Sequence, residues 1–250
     1  MRQETHNTYA LVTGGGRGIG RAIAEKFLSA GFKVLVIDRS ETEIAWCDKH
    51  KNCFGLLCDV GDAAQVQKLL EQISAQHGSP SIVINNAGIG GPFHHVDEVS
   101  DAEWDGIINT NLRSVFMLSR WCLPLMRQRG YGRIVNIASI QGQFGAKQSS
   151  TYSASKHAVI GYTRNIAAEW GAYGITANAV CPGYIATAMG AQDDKLSDHT
   201  ARVLQRTPVR RLGQPSEVAE LVDFLVRFES GYINGSIINI DGGITADVGI

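Results

Sequence analysis

Seven short apolar runs recur along this chain: Tyr9 to Val12, Lys33 to Ile37, Phe54 to Leu57, Ile82 to Ile84, Arg133 to Ile137, Ile175 to Val180 and Ser236 to Ile240. They are continuous and do not alternate apolar with polar. A strand with one wet face alternates, so continuous runs belong to a sheet covered on both faces. Parallel strands separated by helices provide that cover. The intervening segments have helical spacing: Arg21 to Ala30 is one, and Asp62 to His77, with Val66, Leu69, Leu70 and Ile73 on one face, is another. The first half therefore reads β-α-β-α-β-α-β. No linker rich in Pro, Gly or Ser divides the chain, and no repeat of 20–50 residues is visible. The expectation is one α/β domain over residues 1–250, a doubly wound parallel sheet of about seven strands with helices on both faces.

Composition removes several function classes. Basic residues number 23 and acidic residues 24, a net charge of −1, which is no footprint for nucleic acid or for an anionic membrane. No apolar run reaches the ~18 residues of a membrane span. The start, Met1 to Asn7, is polar and lacks the apolar region of a secretory signal. Five cysteines, an odd number without a tight framework, suggest reduced thiols and a cytoplasmic protein. Cys47, His50, Cys53 and Cys58 lie close together, but none form the C-x2-C pair usual for zinc, and no metal is expected.

Two longer helices are predicted, Asp101 to Arg129 with a weak point at Pro124, and Ser150 to Tyr173. Both carry apolar residues on more than one face. One face can cover the sheet, and the other calls for a second copy of the chain.

Glycines cluster after the first strand. Thr13-Gly14-Gly15-Gly16-Arg17-Gly18-Ile19-Gly20 links it to a helix. Glycines let backbone approach a pyrophosphate, and a helix N-terminus favours its charge, as in a Rossmann-type fold. The strict G-x-G-x-x-G string is absent because Arg21 occupies its last place, and no G-x-x-x-x-G-K occurs. Eighteen residues after Gly20, Asp38 ends the second strand, where a carboxylate can bond both ribose hydroxyls of adenosine. It would repel a 2′-phosphate by about 4 kcal/mol at ~4 Å and an effective dielectric of 20. Arg17 and Arg39 offset part of that. NAD is expected over NADP.

Tyr152 and Lys156 stand at i and i+4, on one helix face. A tyrosine pKa of about 10 is too high for a base at neutral pH. A nearby ammonium favours the phenolate, and such a pair can exchange a proton with an alcohol or carbonyl oxygen.

Thr13-Gly14-x-x-x-Gly18-x-Gly20, Asn85-Asn86-Ala87-Gly88, Asn111, Ser139, Tyr152-x-x-x-Lys156, Pro182-Gly183, Thr187 and Asp241-Gly242-Gly243 together resemble the classical short-chain dehydrogenases/reductases, from about residue 8 to 243. The resemblance implies that Tyr152 is the acid/base and that Lys156 lowers its pKa and binds the nicotinamide ribose. It implies that Ser139 polarises the substrate oxygen and that Asn111 positions a water leading from Lys156. It also implies cofactor contacts at Gly14, Arg17, Gly18, Ile19, Gly20, Asp38, Arg39, Asp59, Val60, Asn86, Ala87, Gly88, Pro182, Gly183, Ile185 and Thr187. Asn111 is independently conspicuous as a poor helix former within a helical stretch. Asn85 is expected to tie strands together.

The family's substrate segments fall here on Gly90 to His95, Gln141 to Phe144 and a lid over about 184–206. Candidate substrate contacts are His94, Gln141, Phe144 and Tyr184. Their mixed character suits a polyol or sugar acid. The resemblance also implies a homo-oligomer, a tetramer. Two other functions stay open: an NADPH-dependent 3-oxoacyl-(acyl-carrier-protein) reductase, and a dinucleotide sensor without turnover. A hydrolase is disfavoured because no G-x-S-x-G occurs.

Overall fold

The computed structural model describes residues 9–187 and 196–246. The strands are β1 (Tyr9–Thr13), β2 (Lys33–Asp38), β3 (Cys53–Leu57), β4 (Ile82–Asn85), β5 (Gly132–Ile137), β6 (Ile175–Pro182) and β7 (Ile237–Ile240). They form one seven-stranded sheet in the order β3-β2-β1-β4-β5-β6-β7. Every neighbouring pair is parallel. The helices are α1 (Gly18–Ser29), α2 (Glu41–Ile44), α3 (Ala63–Gln76), α4 (Asp101–Ile108), α5 (Ser114–Arg129), α6 (Ser150–Trp170), α7 (Leu196–Arg206) and α8 (Pro215–Val226).

The continuous apolar runs have the cause expected of them. Ala10, Val12, Val34 and Val36 pack with Ile23 and Phe27 of α1 and Val218 and Val222 of α8. Their neighbours Tyr9, Leu11, Leu35 and Ile37 pack on the opposite face with Leu70 and Ile73 of α3, Leu118 of α5 and Ile166 of α6. Both faces of the central strands are thus dry, and alternation would have buried polar groups.

The sheet order reverses between β1 and β4, and ligands of such sheets bind in the crevice beyond the strand ends at that switch. Here the two ends are tied together. The Thr13 hydroxyl accepts the N–H groups of Asn86 and Ala87, each at 3.0 Å. One step along the sheet, Asn85 Nδ2 donates to Asn136 Oδ1 at 2.7 Å, and Asn136 Nδ2 donates to Thr163 Oγ1 at 2.8 Å. This buried chain fixes β4, β5 and α6 relative to one another, so Asn85 joins strands.

The helix expected over Asp101 to Arg129 breaks elsewhere than at Pro124. A π turn, Asn109–Arg113, separates α4 from α5, while Pro124 lies inside α5. Pro124 and Arg120, whose carbonyl loses its N–H partner there, are both exposed to water, which reduces the cost. The second long helix ends as α6 at Trp170, followed by a single 3₁₀ turn, Gly171–Tyr173.

Candidate active site

The loop from Gly14 to Gly20 is shaped by close approach. Gly14 and Gly18 have φ of 62° and 56°, in the left-handed region that favours glycine. At Gly20 the reason is space: a Cβ would stand 2.2 Å from the Gly14 carbonyl oxygen and 2.5 Å from Asn86 Nδ2. Gly20→Ala is therefore expected to cost about 3 kcal/mol. A thermal melt should fall by at least about 6 °C in a chain of this size, and nucleotide-induced stabilisation should be lost. The Asn86 amide holds this loop by donating to the carbonyls of Thr13 and Gly14 at 2.9 and 3.1 Å.

Several features fit a dinucleotide in this cradle. The N-terminus of α1 has no side-chain cap and no acidic residue in its first turn, so its N–H groups and positive end remain for a phosphate. A Cβ on Gly18 would meet Thr187 Cγ2 at 3.3 Å, so loop and lid root face each other closely. Asp38 Oδ2 accepts the Gly16 N–H at 3.0 Å. Arg17, expected to offset Asp38, instead pairs with Glu43 at 3.1 Å. Arg39 is exposed. Asp59 Oδ1 accepts the Gly61 N–H at 2.8 Å, and Val60 is buried under α3. Ile19 packs partly on the core. Pro182 closes β6, and Gly183 donates to the Ile240 carbonyl at 3.0 Å, with no room for a Cβ beside Asp241. Ile185 makes a bridge with Gly213.

Tyr152, Ser139, Lys156 and Asn111 come together at the ends of β4 and β5. Ser139, just past β5, stands beside Tyr152 and lowers its pKa. Lys156 is buried and donates to the Ile137 carbonyl at 2.9 Å, with Nζ 5.6 Å from the Tyr152 ring centre. A Cβ on Gly88 would lie 3.3 Å from Asn111 Oδ1 and 3.4 Å from Lys156 Nζ, so only glycine leaves that corner open. Asn111 grips the backbone of Ile89, accepting its N–H at 2.8 Å and donating to its carbonyl at 3.0 Å. Its amide also donates to Ser155 Oγ at 3.1 Å. The π turn delivers this geometry, which joins α5's entry to the β4 loop and to α6.

The electrostatics depart from the simple ammonium–phenol expectation. Burial raises the Tyr152 pKa, and the Ser139 hydroxyl draws it back down. Burial also pushes Lys156 down to about 8, slightly opposed by Cys181. Lys156 accordingly binds fewer protons when folded than when unfolded between about pH 8 and its ordinary pKa, so its contribution to stability rises with pH there. Lys156→Met should be more stable than the wild type at pH 7, and the gap should shrink toward pH 10. Urea unfolding of both proteins at the two pH values checks this.

Of the substrate candidates, Gln141 Oε1 accepts Ser149 Oγ at 2.9 Å and Ser153 Oγ at 3.3 Å. Phe144 and Tyr184 stand partly in solvent at the rim. His94 lines a small cleft with Tyr152, Gln148 and Glu103. Glu103 was not foreseen as a site residue, although Ser100-x-x-Glu103 is a legible helix-capping signal. Ser155 and the Arg17 partner Glu43 were also missed, because nothing in their spacing marks them. Within the lid, α7 is formed, while Met189 and Asp193 to Lys195 lie outside the described residues. All five cysteines are free and buried, and among the described residues no cluster suits a metal ion. No described helix is long and apolar enough to cross a membrane.

Residues 14–245 match the family model described as enoyl-(acyl carrier protein) reductase. The chain belongs to the classical short-chain dehydrogenase/reductase family. It is 40% identical over 238 residues to the 3-oxoacyl-(acyl-carrier-protein) reductase FabG of Escherichia coli K12, covering 94% of this chain and 96% of that one. It is 39% identical over 240 residues to an acetoacetyl-CoA reductase of Shinella zoogloeoides, with 94% and 97% covered. Among solved structures, levodione reductase superposes with a TM-score of 0.91 at 34% identity, covering 96% and 98%. A gluconate 5-dehydrogenase from Burkholderia cenocepacia J2315, in complex with NADP and tartrate, superposes with 0.88 at 32% identity, covering 96% of each chain. Membership makes this chain an oxidoreductase acting on CH–OH or keto groups.

Proposed function

We propose that this family member interconverts a secondary alcohol and a ketone with NAD(H), and that its substrate is a polyol or sugar acid. The observation that carries the catalytic reading is the meeting of Tyr152, Ser139, Lys156 and Asn111 at the switch-point crevice. Gly14 to Gly20, Asp38, Asp59, Val60, Asn86 to Gly88 and Pro182 to Thr187 would hold the dinucleotide, which supplies the hydride acceptor or donor when bound. In alcohol oxidation the carbinol carbon loses a hydride and its oxygen loses a proton. Tyr152 receives that proton at its phenolic oxygen, and in reduction it returns one. Ser139 orients the substrate oxygen and favours the phenolate. Lys156 adds positive charge beside the ring, and Asn111 holds the loop after β4, at Ile89, against α6.

NAD is favoured by Asp38 beside the loop backbone and by the diversion of Arg17 to Glu43. A hydroxylated substrate is favoured by the polar lining near Tyr152. A second reading, reduction of a 3-oxoacyl thioester with NADPH, draws on the named activities of the Escherichia coli and Shinella relatives. Nicotinamide absorbance across polyols, sugar acids, hydroxysteroids and 3-oxoacyl thioesters, each with NAD(H) and NADP(H), separates the readings. Turnover only with NADPH and thioesters overturns the first. Dinucleotide binding without any turnover favours the sensor. Self-association as a tetramer is part of the proposal, supported by Trp104 and Phe116, which α4 and α5 leave exposed. A monomer by sedimentation at micromolar concentration would refute it.

A further inference from the structure

We propose that Glu103 and His94 select a substrate bearing a second hydroxyl group besides the one that reacts. The inference rests on the catalytic reading above and narrows its substrate class. The two residues come from different elements, α4 and the loop after β4, and line one cleft with Gln148, Ser149, Thr151 and Tyr152 on its polar side and Pro92, Val99 and Ile107 on its apolar side. His94 Nδ1 lies 2.9 Å from Glu103 Oε1. Nδ1 keeps this ion-pair contact without an aligned hydrogen bond, and the buried Thr151 hydroxyl has no hydrogen-bond partner. Buried polar atoms left in this way ask for a partner.

The Glu103 carboxylate is held in place by the cap of α4. Its Oε2 accepts both the Ser100 N–H and the Ser100 hydroxyl at 2.9 Å, and these bonds hold its pKa below the usual carboxylate value. Oε1 is thereby left on the His94 side as a fixed anionic acceptor. A hydroxyl can donate to that carboxylate and accept from an imidazole N–H, satisfying both. A free carboxylate on the substrate would meet Glu103 as a like charge, and an alkyl tail would desolvate it without compensation. The large apolar side chain of this loop, Phe93, is 76% exposed and does not line the cleft. Gln148 supports the wall at a φ of 57°, a strained value for a residue other than glycine.

Cyclohexanol and its 1,2-, 1,3- and 1,4-diols, offered with NAD⁺, test the pair. In the wild type, at least one diol should exceed cyclohexanol in kcat/KM by about tenfold or more. Glu103→Gln and His94→Phe should reduce that preference to within about threefold, through the KM of the diol. Glutamine still serves the helix cap, so the first variant should melt like the wild type. Absence of any diol preference in the wild type, or its survival in both variants, overturns the proposal. Where no probe turns over, calorimetric titration of the diols into enzyme with NADH decides: binding lost in Glu103→Gln supports it, and no binding to the wild type overturns it. Turnover that persists in Tyr152→Phe overturns the catalytic reading instead, and leaves the comparison of diol binding standing.

Discussion

Replacing Tyr152 by phenylalanine is expected to lower kcat/KM by about 10²–10⁴, the usual scale of a lost acid/base group. The dissociation constant for NADH should stay within about twofold, because the lost oxygen acts on the reacting proton and contributes little to uniform binding. The phenyl ring keeps the volume beside Lys156, so the wall of the crevice persists. Lys156 keeps its bond to the Ile137 carbonyl, and Ser139 keeps the one from Gln141 N–H. What disappears is the one atom that can pass a proton to or from the substrate oxygen beside Ser139. Ser139→Ala should fall between this variant and the wild type, since it removes orientation and the hydroxyl that lowers the Tyr152 pKa but leaves the proton carrier. Stopped-flow absorbance with saturating cofactor checks both. Turnover retained in Tyr152→Phe would mean that another group carries the proton.

The strands were readable because burial on two faces leaves a simple mark, a continuous apolar run, and Tyr9 to Thr13 shows both of its consequences. The place where the long helix breaks was not readable. Proline suggests a break, yet Pro124 lies on the wet side of α5, where an unpaired carbonyl can reach water. The real break centres on Asn111, whose unfavourable helix propensity was visible. Its cause was not visible, because the π turn is held by the Ile89 backbone, 22 positions away. The pairing of Tyr152 with Lys156 could be read from spacing, but not its electrostatics. Spacing reports which side chains share a face and says nothing about desolvation, which here raises the phenol and lowers the amine. Arg17 is a third case: its sequence neighbourhood predicted relief of the Asp38 charge, and its actual partner, Glu43, sits on a helix that only the fold brings near.

That last contact sharpens the expectation for cofactor choice. Asp38→Asn should raise affinity for NADP relative to NAD by about 10²-fold. Two unit charges ~4 Å apart at an effective dielectric of 20 differ by about 4 kcal/mol, a ceiling near 10³-fold. Salt at physiological strength, with a Debye length of ~8 Å, trims that for a site open to solvent. Asparagine preserves the side-chain shape and an oxygen for the Gly16 N–H, so the loop should hold. The charge is then the only quantity changed. Glu43→Gln alone should do little, because the Asp38 carboxylate still repels the 2′-phosphate and competes with it for the freed Arg17 guanidinium. Combined with Asp38→Asn it should add a further few-fold, since the guanidinium then meets the phosphate unopposed. Fluorescence titration of both dinucleotides into the four proteins reads the ratio directly. An unchanged ratio in Asp38→Asn would show that the carboxylate does not face the adenosine ribose. An equal response to Glu43→Gln alone would transfer the discrimination from Asp38 to the Arg17 ion pair.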